Sequence, residues 1–241
     1  MRWNAALRPV DPLPEAPLAI VVDVLRATTS LVTMLAHGAH QVAIERSAEA
    51  ALRLGRRRGF LVAGEQGGWP PAGFDFGNSP ESFTPAAVAG RSLVLSTTNG
   101  ALALRLAARG RQVLIGALAN LTAVAAAALE QGEDTVIVCA GQGGGRFIGL
   151  DDVYVAGRLA RIAEEAGAHL LDGARVAAAC ARSYASPLAA FAASEHGRFL
   201  ATIGLAADLD WCARTDWTDV VPRLRGGRPP LVTIQPAARL P

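Results

Sequence analysis

The chain has 241 residues, 51% hydrophobic and 18% charged, with 23 basic against 21 acidic side chains and a formal net charge of +2. That length suits one large domain or two small ones, and the composition excludes collagen, coiled-coil, disulfide-scaffold and largely disordered classes. The near balance of charge gives no general electrostatic case for nucleic acid. All the basic residues are Arg and none is Lys, so a lysine Schiff base and a P-loop lysine are also excluded.

The N-terminal stretch MRWNAALRPVDPLPEAP carries Pro and acids where a signal peptide needs an apolar run. No apolar run reaches the roughly 18 residues of a membrane span, so a soluble, cytoplasmic protein is expected. LAIVVDV (18–24) reads as a buried strand, 27–39 as a helix, 40–45 as a strand, and 47–59 as an amphipathic helix capped by Ser47 with a basic last turn. FLVAGE (60–65) is a third strand ending in an acid. The Gly/Pro-rich stretch 66–83 is long for a structureless loop, and such loops are usually functional.

The alternation then resumes with strands at 92–97, 112–117 and 135–141 and helices at 100–110, 120–132 and 151–167. Beyond 170 the chain reads as mostly helical, closing with a turn and one strand in 223–237. This pattern predicts a layered α/β/α fold around a mainly parallel or mixed sheet, with 1–241 as a single domain that leaves room for two α/β subdomains. In such sheets ligands sit at the carboxyl ends of the strands, which makes the residues found there informative.

DVLRATTS (23–30) puts an acid at a strand end, Arg26 three residues on, and Thr28, Thr29 and Ser30 at a helix start. Free N–H groups, the helix dipole and a bidentate Arg make that an anion site, against the plainer reading of a capped helix with a surface Arg. STTNGA (96–101) offers hydroxyls and an amide at an equivalent strand end, forming a second wall of one site or an ordinary turn. Asp23, Glu65, Asp75, Asp151 and Asp152 are oxygen ligands of the kind Mg²⁺ prefers. Asp151 and Asp152 are equally suited to the first turn of a helix.

CAGQGGGR (139–146) is not a complete dinucleotide fingerprint, because Arg146 stands where the third Gly belongs. Its Cys–Arg spacing is one residue too long for a cysteine-phosphatase loop, so Cys139 is expected to pack as a small hydrophobe. The three Cys, at 139, 180 and 212, form no CxxC pair, which argues against a disulfide framework and a structural zinc site. His196, in Ser194-Glu195-His196-Gly197, has no partner visible in the sequence.

DVLRATTS, Gly64-Glu65, GFDFGNSPE (73–81), TTNGA, the Asn120 turn, CAG with its Gly-rich turn and following acids, SEHG (194–197) and VVP (220–222) occur in an order that resembles the 2-phosphosulfolactate phosphatase family. The resemblance runs from about residue 18 to 225. It implies a Mg²⁺-dependent phosphatase of coenzyme M biosynthesis acting on a small acidic phosphoester. By position it implies catalytic roles for Asp23, Arg26 and His196, and metal binding by Asp23, Glu65 and Asp152. It also implies substrate contacts from Thr28, Thr29, Asn78, Ser79, Thr97, Thr98, Asn99, Gly100, Asn120 and Gly141. The chain departs from the family pattern at Ala101, where a hydroxyl residue is common, and at Asp151, where Glu is usual. A phosphatase acting on a different hydroxyacid phosphate, a Cys139-dependent phosphatase and a phosphometabolite-binding protein without turnover are the alternatives. A sulfonate or carboxylate on the substrate would need a second anion pocket in the protein, which Arg146 or Arg182 could supply, and a homodimer is the expected assembly.

Overall fold

The computed structural model describes residues 1–234. In chain order the elements are β1 (Arg2–Ala6), β2 (Leu18–Val22), α1 (Ala27–Ala36), β3 (Gln41–Glu45), α2 (Ala48–Arg58), β4 (Leu61–Gly64), α3 (Pro85–Val88), β5 (Ser92–Ser96), α4 (Asn99–Ala107) and β6 (Gln112–Gly116). There follow α5 (Leu121–Leu129), β7 (Thr135–Cys139), α6 (Leu150–Glu165), β8 (His169–Leu170), α7 (Asp172–Arg182), α8 (Pro187–Ala193), α9 (Glu195–Thr202), α10 (Ala207–Cys212), β9 (Arg223–Arg225) and β10 (Leu231–Thr233).

The strands form one sheet in the order β4-β5-β3-β10-β9-β6-β2-β7-β1-β8. Two parallel blocks, β4-β5-β3 and β6-β2-β7-β1-β8, are joined by the β9–β10 hairpin, which pairs antiparallel with both. Strand alternation splits β2 between two cores. Leu18, Ile20 and Val22 pack on the side of α5, α6 and α7, whereas Ala19 and Val21 pack on the side of α1 and α4. Both faces being covered explains the unbroken apolar run LAIVV, whose five residues are all buried. A smaller cluster under α2 joins Ala51 and Leu54 to Ala43, Val62 and Val94.

The caps of α2 fall where the sequence puts them. The Ser47 side chain accepts from the Ala50 N–H, and Gly59 takes the left-handed conformation at φ 67°. Two features differ from the expectation. The N-terminal segment contributes strand β1, with Trp3 wholly buried between Thr135 of β7 and Leu170 of β8. The closing stretch is a two-stranded hairpin turning at Pro229 and Pro230 rather than one strand, and residues 235–237 of the expected strand lie outside the described residues. Among the described residues no helix is long and apolar enough to cross a membrane.

Candidate active site

A cavity of about 200 Å³ opens where the chain leaves β2, β4, β5 and β7. Its wall carries Asp23 and Arg26 from the β2–α1 junction, Glu65 and Asn78 from the long loop after β4, Thr97, Thr98 and Asn99 from the β5–α4 turn, and His196 from α9. Residues far apart in sequence thus meet at the strand ends, as ligand sites in this architecture do.

Asp23 is 6% exposed, and its Oδ1 faces the Ala27 N–H at 3.4 Å. The carboxylate therefore occupies the N-terminus of α1, where the sequence predicts an incoming anion. Thr28 and Thr29 serve the same local turn. Thr28 Oγ1 accepts from the Asp23 N–H at 3.1 Å, and Thr29 Oγ1 donates to the Val24 carbonyl at 2.8 Å. Both are fully buried and lie off the cavity wall, so they support the turn rather than reach a ligand.

Gly100 stands beside this carboxylate for a steric reason. A Cβ there would lie 2.8 Å from Asp23 Oδ2 and 3.0 Å from the Ala27 Cβ, so only Gly lets α4 start this close to Asp23. Asn99 Oδ1 accepts from the Gly144 N–H at 2.8 Å, tying the β5–α4 turn to the Gly-rich turn after β7.

Asp152 is a strap. Its Oδ1 accepts from the Val24 N–H at 2.8 Å and its Oδ2 from the Gly141 N–H at 2.9 Å, holding the ends of β2 and β7 together. Gly141 is accordingly a donor to Asp152, and neither residue lies on the wall. Asp151, at 2% exposure, keeps its Oδ1 without a partner. Its Oδ2 stands 3.9 Å from His196 Nδ1, too long for a hydrogen bond but within reach of a bridging water. A Cβ on Gly149 would lie 3.2 Å from Asp151 Oδ1 and 3.4 Å from Asp152 Oδ2, so the missing side chain leaves room between the two carboxylates.

Burial raises Asp23 to about 7, reinforced by the Asp151 and Glu65 charges and opposed by the Ala27 N–H and Arg26. Burial likewise raises Asp151 to about 7. Burial with the Asp151 and Asp23 charges pushes Asp152 well up. His196 moves the other way. Burial first and the Arg26 charge second push it down to about 4, so its imidazole is neutral near pH 7.

Arg26 is 4% exposed. It donates to Asp208 Oδ2 at 2.6 Å and to the Gly68 carbonyl at 2.8 Å. Asp208, on α10, also accepts from the Ser79 hydroxyl, so Ser79 positions the Arg26 partner instead of lining the cavity. Asn78 does line it, with a buried Oδ1 that has no partner. Asn120 is turned inward: it accepts from the Ala117 N–H and donates to the Ile115 and Val220 carbonyls, fixing the β6–α5 turn away from the cavity. Arg146 and Arg182 are exposed and off the wall. Asp75 accepts from the Val62 N–H at 2.7 Å and pins the long loop to β4. Cys139 is wholly buried in the core beside Asp152 and Asp151, which holds its thiol protonated and removes it as a nucleophile.

Sequence reasoning missed Asp208 and underrated Asp151. Asp208 begins an unremarkable short helix, and nothing in ADLDWC marks the reach back to Arg26, 182 positions away. Asp151 looked like a helix-start acid, which it also is.

Among the described residues, no three His, Cys, Asp or Glu side chains converge tightly enough to cage a metal ion by themselves. Mg²⁺ needs no such cage, because it keeps several waters and binds through one or two carboxylates. The donors suit it: buried, all-oxygen, with Asp151 Oδ1 unpartnered and more carboxylate charge than the single Arg26 offsets. Asp23 and Glu65 on the cavity wall, and Asp151 behind it with Oδ1 unpartnered, are the carboxylates that could hold the ion, whereas the two oxygens of Asp152 each hold an N–H.

An α/β layer with a strand-end cavity of buried carboxylates, one buried Arg and a Thr-Thr-Asn turn defines a protein built to handle a small anion. The family model described as 2-phosphosulpholactate phosphatase matches residues 6–227, and the chain belongs to that family. It is 43% identical over 231 residues to a probable 2-phosphosulfolactate phosphatase of Deinococcus radiodurans, covering 94% of this chain and 95% of that protein. It is 42% identical over 229 residues to one of Thermus thermophilus, with 94% and 95% covered. A third, of Thermotoga petrophila, is 34% identical over 225 residues, with 93% and 96% covered.

Proposed function

We propose that this protein is a cytoplasmic, Mg²⁺-dependent phosphatase that hydrolyses 2-phosphosulfolactate to sulfolactate and phosphate. The observation that carries the reading is the convergence of Asp23, Arg26, Asn78, the Thr97–Asn99 turn and His196 on one cavity of about 200 Å³. That volume suits a three-carbon acid phosphate and is too small for a nucleotide. The substrate brings a phosphate, a sulfonate and a carboxylate into a site already rich in carboxylates. Such a substrate needs a cation beyond Arg26, which supports the metal.

When bound by Asp23 with Glu65 or Asp151, Mg²⁺ would supply Lewis-acid stabilisation of the phosphoryl charge. The remaining work falls to this chain. The Thr97–Asn99 turn and the start of α4 present hydroxyls, an amide and a positive dipole end to the phosphoryl oxygens. Arg26 is held in one orientation by Asp208 and Gly68, so its charge costs no reorganisation as the transition state forms. His196, neutral near pH 7, accepts the proton of the attacking water, and the leaving alkoxide on the opposite side of phosphorus takes a proton from solvent as the P–O bond breaks. Asn78 Oδ1 is free to accept from a ligand hydroxyl or a bound water.

The test is phosphate release from 2-phosphosulfolactate and a panel of hydroxyacid phosphates, with Mg²⁺ and then with EDTA. Release that depends on Mg²⁺ and favours 2-phosphosulfolactate is expected. Release that survives chelation would overturn the metal requirement, and faster turnover of another hydroxyacid phosphate would overturn the substrate.

A further inference from the structure

A groove of about 1030 Å³ lies apart from the catalytic cavity and shares none of its wall residues. It lies between α2, α4 and the β9–β10 turn. Arg46, Arg53, Arg57, Arg105 and Arg228 converge on it from four separate segments. Arg53 is paired with Glu49, and Glu45 also lines the groove, so arginines outnumber carboxylates five to two. Among the described residues, Arg46, Arg57, Arg105 and Arg228 have no carboxylate or hydrogen-bond partner. For a chain whose net charge is only +2, this is a concentrated positive surface.

The floor between the arginines is apolar, built from Ile44, Leu54, Ala101 and Pro229. A groove of this size, apolar at its base and cationic at its rim, matches a ligand with a flat apolar body and more than one anionic group. Arginine adds specificity: its planar fork binds phosphate bidentately and its face stacks on aromatic rings. The groove also adjoins the catalytic machinery through one element. Helix α4 gives Asn99 to the cavity and Ala101 and Arg105 to the groove, and the Thr97 N–H donates to the Glu45 carbonyl at 3.2 Å.

We propose that this arginine-lined groove is a second ligand site, separate from the catalytic cavity, that binds a nucleoside polyphosphate through its phosphates and its base.

The test is calorimetric titration of the full chain without Mg²⁺, using ADP, pyrophosphate and adenosine as separate probes. ADP is expected to bind one site with a Kd of about 0.1–1 mM, and each half-molecule about tenfold or more weaker, a loss of about 1.4 kcal/mol. The double variant Arg57→Gln/Arg105→Gln is expected to weaken ADP by about tenfold or more, while Arg182→Gln, on the exposed end of α7, leaves it unchanged. All three arginines are exposed, so these variants keep the fold, and a matching circular dichroism spectrum checks it. No ADP binding up to about 5 mM, or equal affinity in the double variant, would overturn the site. Pyrophosphate binding as tightly as ADP would overturn the ligand class. The readout is independent of phosphatase activity, so it stands or falls apart from the proposed reaction.

Discussion

The catalytic cavity and the arginine groove share helix α4 but are built on opposite physical terms. The cavity is small, about 200 Å³, and its charges are buried: Asp23 and Arg26 at 6% and 4% exposure, with Asp151 behind them at 2%. The groove is about five times larger by volume, and its arginines stand in solvent. In the cavity, desolvation moves carboxylates up to about 7 and the imidazole down to about 4. Size therefore does not mark the chemical site of this protein. Charges kept from water against their own hydration do, because only such groups are strong electrostatic actors and tunable acids or bases.

The sharpest way to break that contrast is Asp23→Asn. Turnover of 2-phosphosulfolactate at saturating Mg²⁺ is expected to fall about 10³-fold or more, the scale of losing a preorganised charge at a phosphoryl centre. Stability at about pH 8 is expected to rise, because the lost carboxylate is one that burial disfavours. Steady-state kinetics and urea unfolding read the two effects separately. Near-wild-type turnover would remove Asp23 from the site. A charge reversal in the groove, Arg57→Glu, is expected to leave turnover unchanged.

The next effect is on folding. Asp208→Ala leaves the Arg26 guanidinium charged and nearly dry, and the two partners are 4% and 3% exposed. Breaking a buried pair on one side costs about 3–5 kcal/mol, which urea denaturation would detect. Arg26→Met combined with Asp208→Leu is expected to recover most of that stability and none of the activity. Recovered activity in the double variant would show that the ion pair is structural only.

These two residues also show what the sequence could tell. The strands β2 to β7, the helices α1, α2, α4 and α5 and the Ser47 and Gly59 caps were legible, because each is written in local periodicity or cap chemistry, whereas the short α3 was not read. So was the set of motifs that meets in the cavity, because strand ends collect ligand groups in this architecture. Strand β1 was not legible. RWNAA is five residues long and lies before a Pro-rich stretch, and what buries Trp3 is its pairing with β7, 132 positions on. The inward turn of Thr28, Thr29 and Asn120 was hidden for a related reason. A hydroxyl or amide at a strand end serves its own backbone as readily as a ligand, and only three-dimensional geometry decides between them. Asp208 was invisible because its meaning lies in two long-range contacts, with Arg26 and with Ser79.

A smaller effect follows from the raised carboxylates. Asp23 and Asp151 titrate near 7 in the folded metal-free protein and near 3.9 when unfolded, so the folded state holds protons that the unfolded state has released. Their stabilising contribution is full below the unfolded value and is lost as pH rises through about 7. Neutral burial of His196 acts in the opposite sense, but its effect is confined to the range between about 4 and its unfolded value of about 6.5. Two carboxylates outweigh one imidazole, so the metal-free protein is expected to be less stable at about pH 8 than at about pH 5, with the loss nearly complete once the pH has passed about 7. Mg²⁺ should restore it mainly at the upper end, by about 2.7 kcal/mol at one hundred times its Kd. Thermal melts with EDTA and with Mg²⁺ at both pH values check this. Equal Mg²⁺ stabilisation at the two values would mean that these carboxylates do not bind the ion.

The smallest effect tests whether the two regions are independent. Ser47 caps α2 by accepting the Ala50 N–H at 3.3 Å, and α2 carries Arg53 and Arg57 on the groove and nothing on the cavity wall. Ser47→Ala removes one partner from a helix start and is expected to cost about 1 kcal/mol of unfolding free energy. The helix is anchored by Ala51 and Leu54, so its first turn is what loosens. Turnover and KM for the phosphoester should not move, because β4 and β5 hold Glu65 and the Thr97–Asn99 turn through their own parallel pairing, Leu61 to Leu93 through Gly64 to Ser96. If kcat fell along with stability, the motion of α2 would be reaching the cavity. The shared helix α4 would then couple the groove to the chemistry, and would no longer merely separate the two sites.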